Sequence, residues 1–280
     1  MDRVRTIRGV GLGLRRPHLA ALLEAIPPEV DFMEVAPENW LGAGGRLGDA
    51  FTRIAAEVPV ACHGLLLNLG GSDPIDQQHV RETGRFLDRH GLPLYGDHLS
   101  FCGESGLLYE LLPMPFTVDA ARHLAARVRE VQDILGRQIT VENPSFYCAL
   151  MQDIDELDFI NIVLEESDCL LLLDVNNVYV NSVNHQYDPE AFIRGIPGKR
   201  IAYAHIAGHL RTPEGLLIDT HGERVTDPVW ALLAQAYRIH GVFPTLLERD
   251  ENIPPLEEVL EEVRLIHELQ ARVTAAAVAA

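Results

Sequence analysis

The sequence predicts a (β/α)8 barrel, and three observations carry that reading. Eight short, nearly continuous apolar runs recur along the 280 residues; each gives way to polar residues; each is then followed by a longer stretch with helical periodicity. One apolar run alone is ambiguous, but regular alternation with amphipathic helices argues for βαβ units and a parallel sheet buried on both faces. Eight such units in this length match one TIM barrel, and no Ser/Gly-rich linker or charge run divides them. The expectation is a single domain over 1–280, with a short Ala-rich C-terminal tail at about 274–280.

The first run, GVGLGL (9–14), precedes HLAALLEAI; the second, VDFMEVAP (30–37), precedes LGDAFTRIAAEV; the third, VPVACHGLLL (58–67), precedes DQQHVRETGRFLDRH. The fourth, LPLYGDHLSF (92–101), leads to TVDAARHLAARVREVQDIL, and the fifth, QITVENPSF (138–146), to DIDELDFINIVLEES. The sixth, CLLLLDVNN (169–177), is followed by a helix near PEAFIRGI, and the seventh, RIAYAHIAGH (200–209), by DPVWALLAQAYRIH. The eighth, VFPTLLERDENIP (242–254), leads to LEEVLEEVRLIHELQARV, in which PPLEEVLEEV reads as the exposed face of the last helix. GVGLGL invites comparison with a dinucleotide fingerprint in a doubly wound sheet. It lacks the third glycine of GxGxxG, and no acid at the end of a paired second strand is placed for a ribose, so it reads as tight packing where the first strand enters its loop.

Composition narrows the function classes. With 47% hydrophobic and 23% charged residues the chain can bury a sizeable core. A net charge of −18 argues against a nucleic-acid partner, which usually requires a basic face. It leaves room for a local cation site or a basic peptide. No window approaches the roughly 18 consecutive apolar residues of a membrane span, and MDRVRTIRGVGLGL lacks the apolar stretch of a secretory signal. The expected setting is cytoplasmic, away from membranes. Cys62, Cys102, Cys148 and Cys169 form no CxxC pair and read as buried or half-buried free thiols in a reducing compartment.

In a parallel barrel the loops after the strands open on one face, where active sites sit. The runs end there in Glu34, Glu38 and Asn39; His63; Asp97 and His98; Glu142 and Asn143. Later runs add Asp174, Asn176 and Asn177; His205 and His209; and Glu248, Arg249 and Asp250. A carboxylate or imidazole embedded in an apolar strand end is costly unless paired, hydrogen-bonded or bound to metal. Three imidazoles and three carboxylates on six strands therefore point to a metal centre, and ligands of this kind without thiolate suit iron, manganese or zinc. They exceed what one ion requires, so a cluster sharing a bridging carboxylate is expected.

Asp219 and His221 lie two apart in the long segment after the seventh run, a spacing that turns both side chains to one side of an extended chain. His205 and His209 sit at a strand end, unlike a helical HExxH pair. His18, His79, His90, His123, His240 and His267 fall on predicted helices and read as structural or solvent-facing. There is no GxSxG, and Cys62 should face away from His63 on a strand.

Taken together, CHGLLLNLGG, GDHLSFCG, VENPSFY, LLLDVNNVYVNSVNH, YAHIAGH, DTHGERVTDPVW and LLERDENIP resemble the multinuclear non-haem iron-dependent oxidative enzymes, the family that includes the methanobactin biosynthesis oxidase, from about residue 10 to 258. The resemblance implies a barrel holding two or three irons, Fe(II)/Fe(III), with O2 as co-substrate, and oxidation of cysteines in a ribosomally made precursor peptide. It also implies a separate partner protein that recruits the peptide. Carried onto this sequence, it implies His63, His98, Glu142, Asp174, His205, Asp219, His221 and Glu248 as iron ligands, Glu142 or Glu248 bridging, with Asn177 as a weaker neutral ligand. Asp97, His185 and His209 are then expected to orient ligands or substrate. A divalent-metal isomerase or a zinc phosphodiesterase on the same barrel is the alternative.

Overall fold

The structure, a computed structural model, describes residues 6–104, 106, 108 and 110–279. Seven of the barrel strands are β1 (Val10–Gly13), β2 (Phe32–Val35), β3 (Val60–His63), β4 (Tyr95–His98), β5 (Thr140–Glu142), β6 (Leu170–Asp174) and β7 (Ile201–Ile206). A short antiparallel hairpin of β8 (Leu210–Arg211) and β9 (Leu217–Ile218) follows β7, and β10 (Thr245–Leu247) closes the barrel between β7 and β1. All barrel pairings are parallel, as the near-continuous apolar runs require.

Helices α1 (Leu19–Glu24), α2 (Gly45–Glu57), α3 (Gln77–His90), α4 (Val118–Leu135) and α5 (Glu156–Ser167) cover the first five crossovers. The amide N–H groups at the starts of α3, α4 and α5 are capped by the side chains of Asp76, Thr117 and Asp155. Then come α6 (Val175–His185), α7 (Pro189–Gly195), α8 (Asp227–His240) and α9 (Leu256–Ala279). The segment VNNVYVNSVNH, which is not among the helices expected from the sequence, is rich in Asn and β-branched residues that are poor helix formers. Asp174 overrides that weakness: its Oδ1 accepts the Asn177 N–H at 2.6 Å, so α6 starts directly at the end of β6. The Ala-rich stretch from 274 likewise continues α9 to Ala279, as the high helix propensity of alanine favours.

Two readings of individual residues change. Glu262, taken as part of an exposed acidic face, is buried beside Val259, Val263 and Ile266, with its carboxylate 2.6 Å from the buried Arg249 guanidinium. Cys148 is exposed, whereas Cys62, Cys102 and Cys169 are buried free thiols.

Side chains in the barrel interior alternate along each strand, so inward positions recur every second residue. Phe32, Ala61, Leu172, Tyr203 and Leu246 pack into one buried cluster with Ile7. The fit is tight at Gly11, where a Cβ atom would lie 2.4 Å from the Phe32 ring. Two residues further along the same strands stand Glu34, His63, Asp174, His205 and Glu248. The main core, including Cys62, fills the space between the sheet and the helices.

Candidate metal centre

The strand ends deliver their polar side chains to an open cavity of about 430 Å³ at the barrel mouth, lined in part by Glu34, His63, His98, Glu142, His221 and Glu248. His63 Nε2 and His98 Nε2 are 3.0 Å apart, and Glu142 Oε2 lies 2.5 and 3.3 Å from them. Ligand atoms held about 2.1 Å from one ion at roughly right angles sit about 3 Å apart, so this triangle has the dimensions of one face of a coordination shell.

Further groups adjoin it. His205 stands between Glu34, 3.0 Å from Nε2, and Glu248, 2.8 Å from Nδ1, with Asp174 Oδ2 at 4.0 Å. His221 Nε2 lies 2.6 Å from Asp219 and 3.8 Å from Asp174, and its Nδ1 is 3.3 Å from Glu248. Four overlapping triads result: His63, His98 and Glu142; Glu34, His205 and Glu248; Glu142, Asp174 and His205; Asp174, His221 and Glu248. Glu142 and Glu248 each belong to two of them, as do Asp174 and His205.

The donor atoms are crowded yet poorly satisfied. Glu142 Oε2, Asp174 Oδ2, Asn177 Oδ1, His205 Nδ1 and His221 Nε2 are buried without a hydrogen-bond partner of acceptable geometry. Buried polar atoms are normally paired, so orphans converging on one volume fit a set of cation ligands. Charge gives the same answer. Burial opposes charge on His98, but Glu142 and Asp97 beside it hold its pKa up at about 9. Burial works against the Glu142 carboxylate too, yet His98 and His63 hold it down at about 2. Burial pushes Asp174 up to about 8, with the Glu142 and Asp219 carboxylates adding to the push. For His205 and His221 burial is outweighed by the surrounding carboxylates, and both are raised well above the ordinary imidazole range. The site favours positive charge, as the raised His98, His205 and His221 imidazoles show.

Surrounding groups fix this array. Asp219 accepts from Ser145 Oγ at 3.0 Å and from Asn176 Nδ2 at 2.8 Å, while His209 Nδ1 lies 2.8 Å from Asn176 Oδ1. His209 thus reaches the centre through Asn176 and Asp219. Asp97 accepts the Leu67 N–H and the His98 N–H and stands 3.6 Å from His98 Nδ1. Asn177 Nδ2 donates to Glu142 Oε1 at 3.3 Å and to the Asn143 carbonyl at 3.2 Å, leaving Oδ1 facing the mouth. His221 adopts φ 49°, held there by Asp250, whose N–H donates to the His221 carbonyl and whose Oδ2 lies 3.1 Å from Nδ1.

His185 does not join the others. It lies about 16 Å along α6 from Asp174 at 1.5 Å per residue, stacked 4.0 Å from the Phe146 ring with Nε2 2.8 Å from the Phe146 carbonyl. Its contact supports the loop after β5. Of the six helix histidines, none lines the cavity; His18, the buried one, lies 2.7 Å from the Pro254 carbonyl.

Sequence reasoning left out two residues at the centre. Glu34 was grouped with the mouth but not with the ligands, although an acid inside FMEV is the same signal as the acid of TVE. Arg15, which donates to the Arg249 carbonyl at 2.8 Å, stands 3.3 Å from Glu248 and pairs with Asp250, sits beyond a short strand in a basic segment and gave no signal.

Comparison with solved structures finds this barrel in 3-keto-D-glucoside 4-epimerase from E. coli, with TM-score 0.60 at 12% identity, covering 96% of this chain and 99% of that one. Endonuclease IV from Thermus thermophilus gives TM-score 0.60 at 12% identity over 95% and 99%. These likenesses show the fold. Sequence relatives include a UPF0276 protein of Shewanella loihica, 52% identical over 94% of this chain and 95% of its own length. Another, from Pseudomonas aeruginosa, is 52% identical over 95% and 94%. A family described as RiPP precursor modification enzyme MbnB/TglH/ChrH, acting on ribosomally made peptides, matches residues 9–271. The chain belongs to this family of precursor-modifying enzymes.

Proposed function

We propose that this enzyme is a multinuclear iron, dioxygen-dependent oxidase that modifies cysteine in its precursor peptide. The observation that carries the reading is the set of four triads joined by shared carboxylates and imidazoles, in a family whose substrates are precursor peptides. His63, His98, Glu142, Asp174, His205, Asp219, His221 and Glu248 would hold two or three irons, with Glu34 as a further donor and Asn177 the weakest. The donor set fits: it is imidazole and carboxylate with no thiolate, and Cys62 and Cys102 are buried free thiols with pKa values raised by burial. Bound iron would supply one-electron redox chemistry between dioxygen and a substrate thiolate.

The chain's own residues do the rest. Asp97 stands behind His98 and holds the loop after β3 through Leu67; His209 and Asn176 fix Asp219; these contacts orient ligand atoms before any ion arrives. The packed layer around Phe32 and Tyr203 lies beneath the cavity, whose opening is on the loop side. A separate recruiting protein would raise the local concentration of peptide at this mouth.

The test is to load the protein with Fe(II), add a cysteine-containing precursor peptide encoded beside the gene, and follow oxygen uptake and peptide mass. Oxygen consumption coupled to an oxidative mass change at cysteine is the expected result. Stoichiometric zinc or manganese with no oxygen uptake would replace this reading with the divalent-metal isomerase or phosphodiesterase one.

A further inference from the structure

The rim of the mouth is chemically lopsided. Among the described residues, nine of the twelve exposed large apolar side chains stand on segments that follow β3, β4, β5 and β7. Leu65 and Leu66 follow β3, Leu112 follows β4, and Tyr147, Leu150 and Met151 follow β5, the last three being 48%, 67% and 56% exposed. Leu210 and Leu216 add two more on the β8–β9 hairpin. Among the described residues, no large apolar side chain between β1, β2, β6 or β10 and the start of the helix that follows it is exposed; that side carries Arg15, Asp250 and Glu251.

This sector is continuous with the cavity. Leu112 and Phe101 exchange backbone hydrogen bonds at 2.9 and 3.0 Å across the base of the loop after β4. The Tyr147 hydroxyl accepts the Asp219 N–H at 2.9 Å, fixing that ring between the rim and the candidate metal centre. Leu65 and Tyr147 line the same cavity as His63, His98 and Glu142. A single-sided apolar patch of this kind on a protein surface marks an interaction site. An occupant that spans this rim and enters the cavity passes Leu65 and Tyr147, which suits an extended chain rather than a folded domain.

We propose that this sector binds an extended stretch of the precursor peptide whose apolar side chains flank the residue to be modified, and so sets which position of the peptide reaches the centre. The proposal rests on the mouth being where the peptide reacts, but not on iron or dioxygen. Leu150 and Met151 would be the outer contacts and Leu65 and Tyr147 the inner ones. The apolar flanks dock on one side, and the acidic side remains facing water.

Met151 is a built-in reporter, because Met33 is wholly buried in the barrel and supplies an internal control. The full-length protein, labelled at methionine methyl carbons, is titrated without oxygen with two synthetic ten-residue peptides. Both carry one cysteine in a Gly/Ser host; the first has Leu and Phe two residues to either side, the second has Ser there. The first peptide should shift the Met151 methyl resonance, leave Met33 in place, and bind at least tenfold tighter than the second. Leu150→Ser, an exposed change that leaves the fold intact, should weaken it several-fold without changing metal content. Equal binding of the two peptides, or an unmoved Met151 signal, overturns the proposal. So does a Leu150→Ser variant that keeps full peptide affinity while losing a folded recruiting protein or a self-associated dimer, since the rim then belongs to that occupant. Absence of oxidation with intact selective binding would instead count against the iron reading alone.

Discussion

At the level of Phe32, Ala61, Leu172, Tyr203 and Leu246 the barrel interior is closed by packed, largely apolar side chains; two residues further along the same five strands it holds Glu34, His63, Asp174, His205 and Glu248. The layers share backbone, twist and direction, so the difference lies in side chains alone. The lower layer is wholly buried and filled so tightly that β1 contributes glycine beneath the Phe32 ring. The upper layer is nearly as buried but leaves donor atoms unpaired. Burying a charge costs several kcal/mol unless it is compensated, so the upper layer draws on stability that the lower layer and helices supply. A barrel can tolerate such a centre because the layer beneath it is buried and closely packed.

Breaking the lower layer should give the largest effect. Phe32→Ala removes a fully buried aromatic ring and is expected to cost about 3–5 kcal/mol, read as the midpoint shift in urea unfolding. Gly11→Ala alone should also destabilise, because its Cβ would strike that ring; in the Phe32→Ala background the penalty should vanish. Additive effects of the two changes would mean that the ring is not what Gly11 accommodates.

The loops over the upper layer have their own anchor. Glu262 accepts the Val225 N–H at 2.8 Å and pairs with Arg249 at 2.6 Å, tying α9 to the segments that carry His221 and Asp250. Glu262→Leu strands a buried guanidinium and should cost about 3 kcal/mol. Unfolding measurements on the single variant and on Glu262→Leu with Arg249→Met separate the two readings: the double variant should recover most of the loss, and no recovery would show that the charge pair is not the cause.

At the same mouth, Glu142→Gln tests the shared carboxylate. It should lower bound metal and reduce activity about 100-fold, the scale of about 2.7 kcal/mol in a barrier, while the metal-free protein melts no lower than the parent. Unchanged metal content by elemental analysis would remove Glu142 from the centre.

The two layers were not equally legible in the sequence. Eight runs with helices between them announced the barrel, and acids or histidines inside apolar strands announced the mouth, because such residues are rare there without compensation. Asp174 is both a cap and a candidate ligand, and its two oxygens divide the roles: Oδ1 caps α6 and Oδ2 faces the imidazoles. Glu262 was hidden by its acidic neighbours, although it falls three residues after Val259 and four before Ile266 on the buried helix face. His185 was expected at the site only through the family resemblance, and helix α6, which the apolar runs do not announce, carries it away. Arg15 depends on β1 and β10 being neighbours around a closed barrel, which no local pattern encodes.

The smallest expected effect sharpens the comparison most, because it sets a buried carboxyl outside the centre against one inside it. Glu156, in the first turn of α5, is as enclosed as Glu142 but has Asn181 Nδ2 at 3.1 Å and the Tyr187 hydroxyl at 3.3 Å instead of imidazoles. Burial pushes its pKa up to about 8, whereas the imidazoles hold Glu142 near 2. With the folded value raised above the ordinary 4.5, the native protein keeps a proton that the unfolded chain releases. Its contribution to stability is complete below that ordinary value and is lost as pH rises toward the folded one. Glu156→Gln keeps a neutral group of the same shape in the same hydrogen bonds and removes the titration. Between pH 5 and pH 8.5 the parent should therefore lose about 1–3 kcal/mol of stability relative to this variant, read from urea unfolding at matched metal content. The groups at the mouth are common to both proteins and cancel in the difference. Parallel stability curves would mean that Glu156 is already ionised in the fold, and that burial without a cationic partner does not separate it from the carboxylates of the centre.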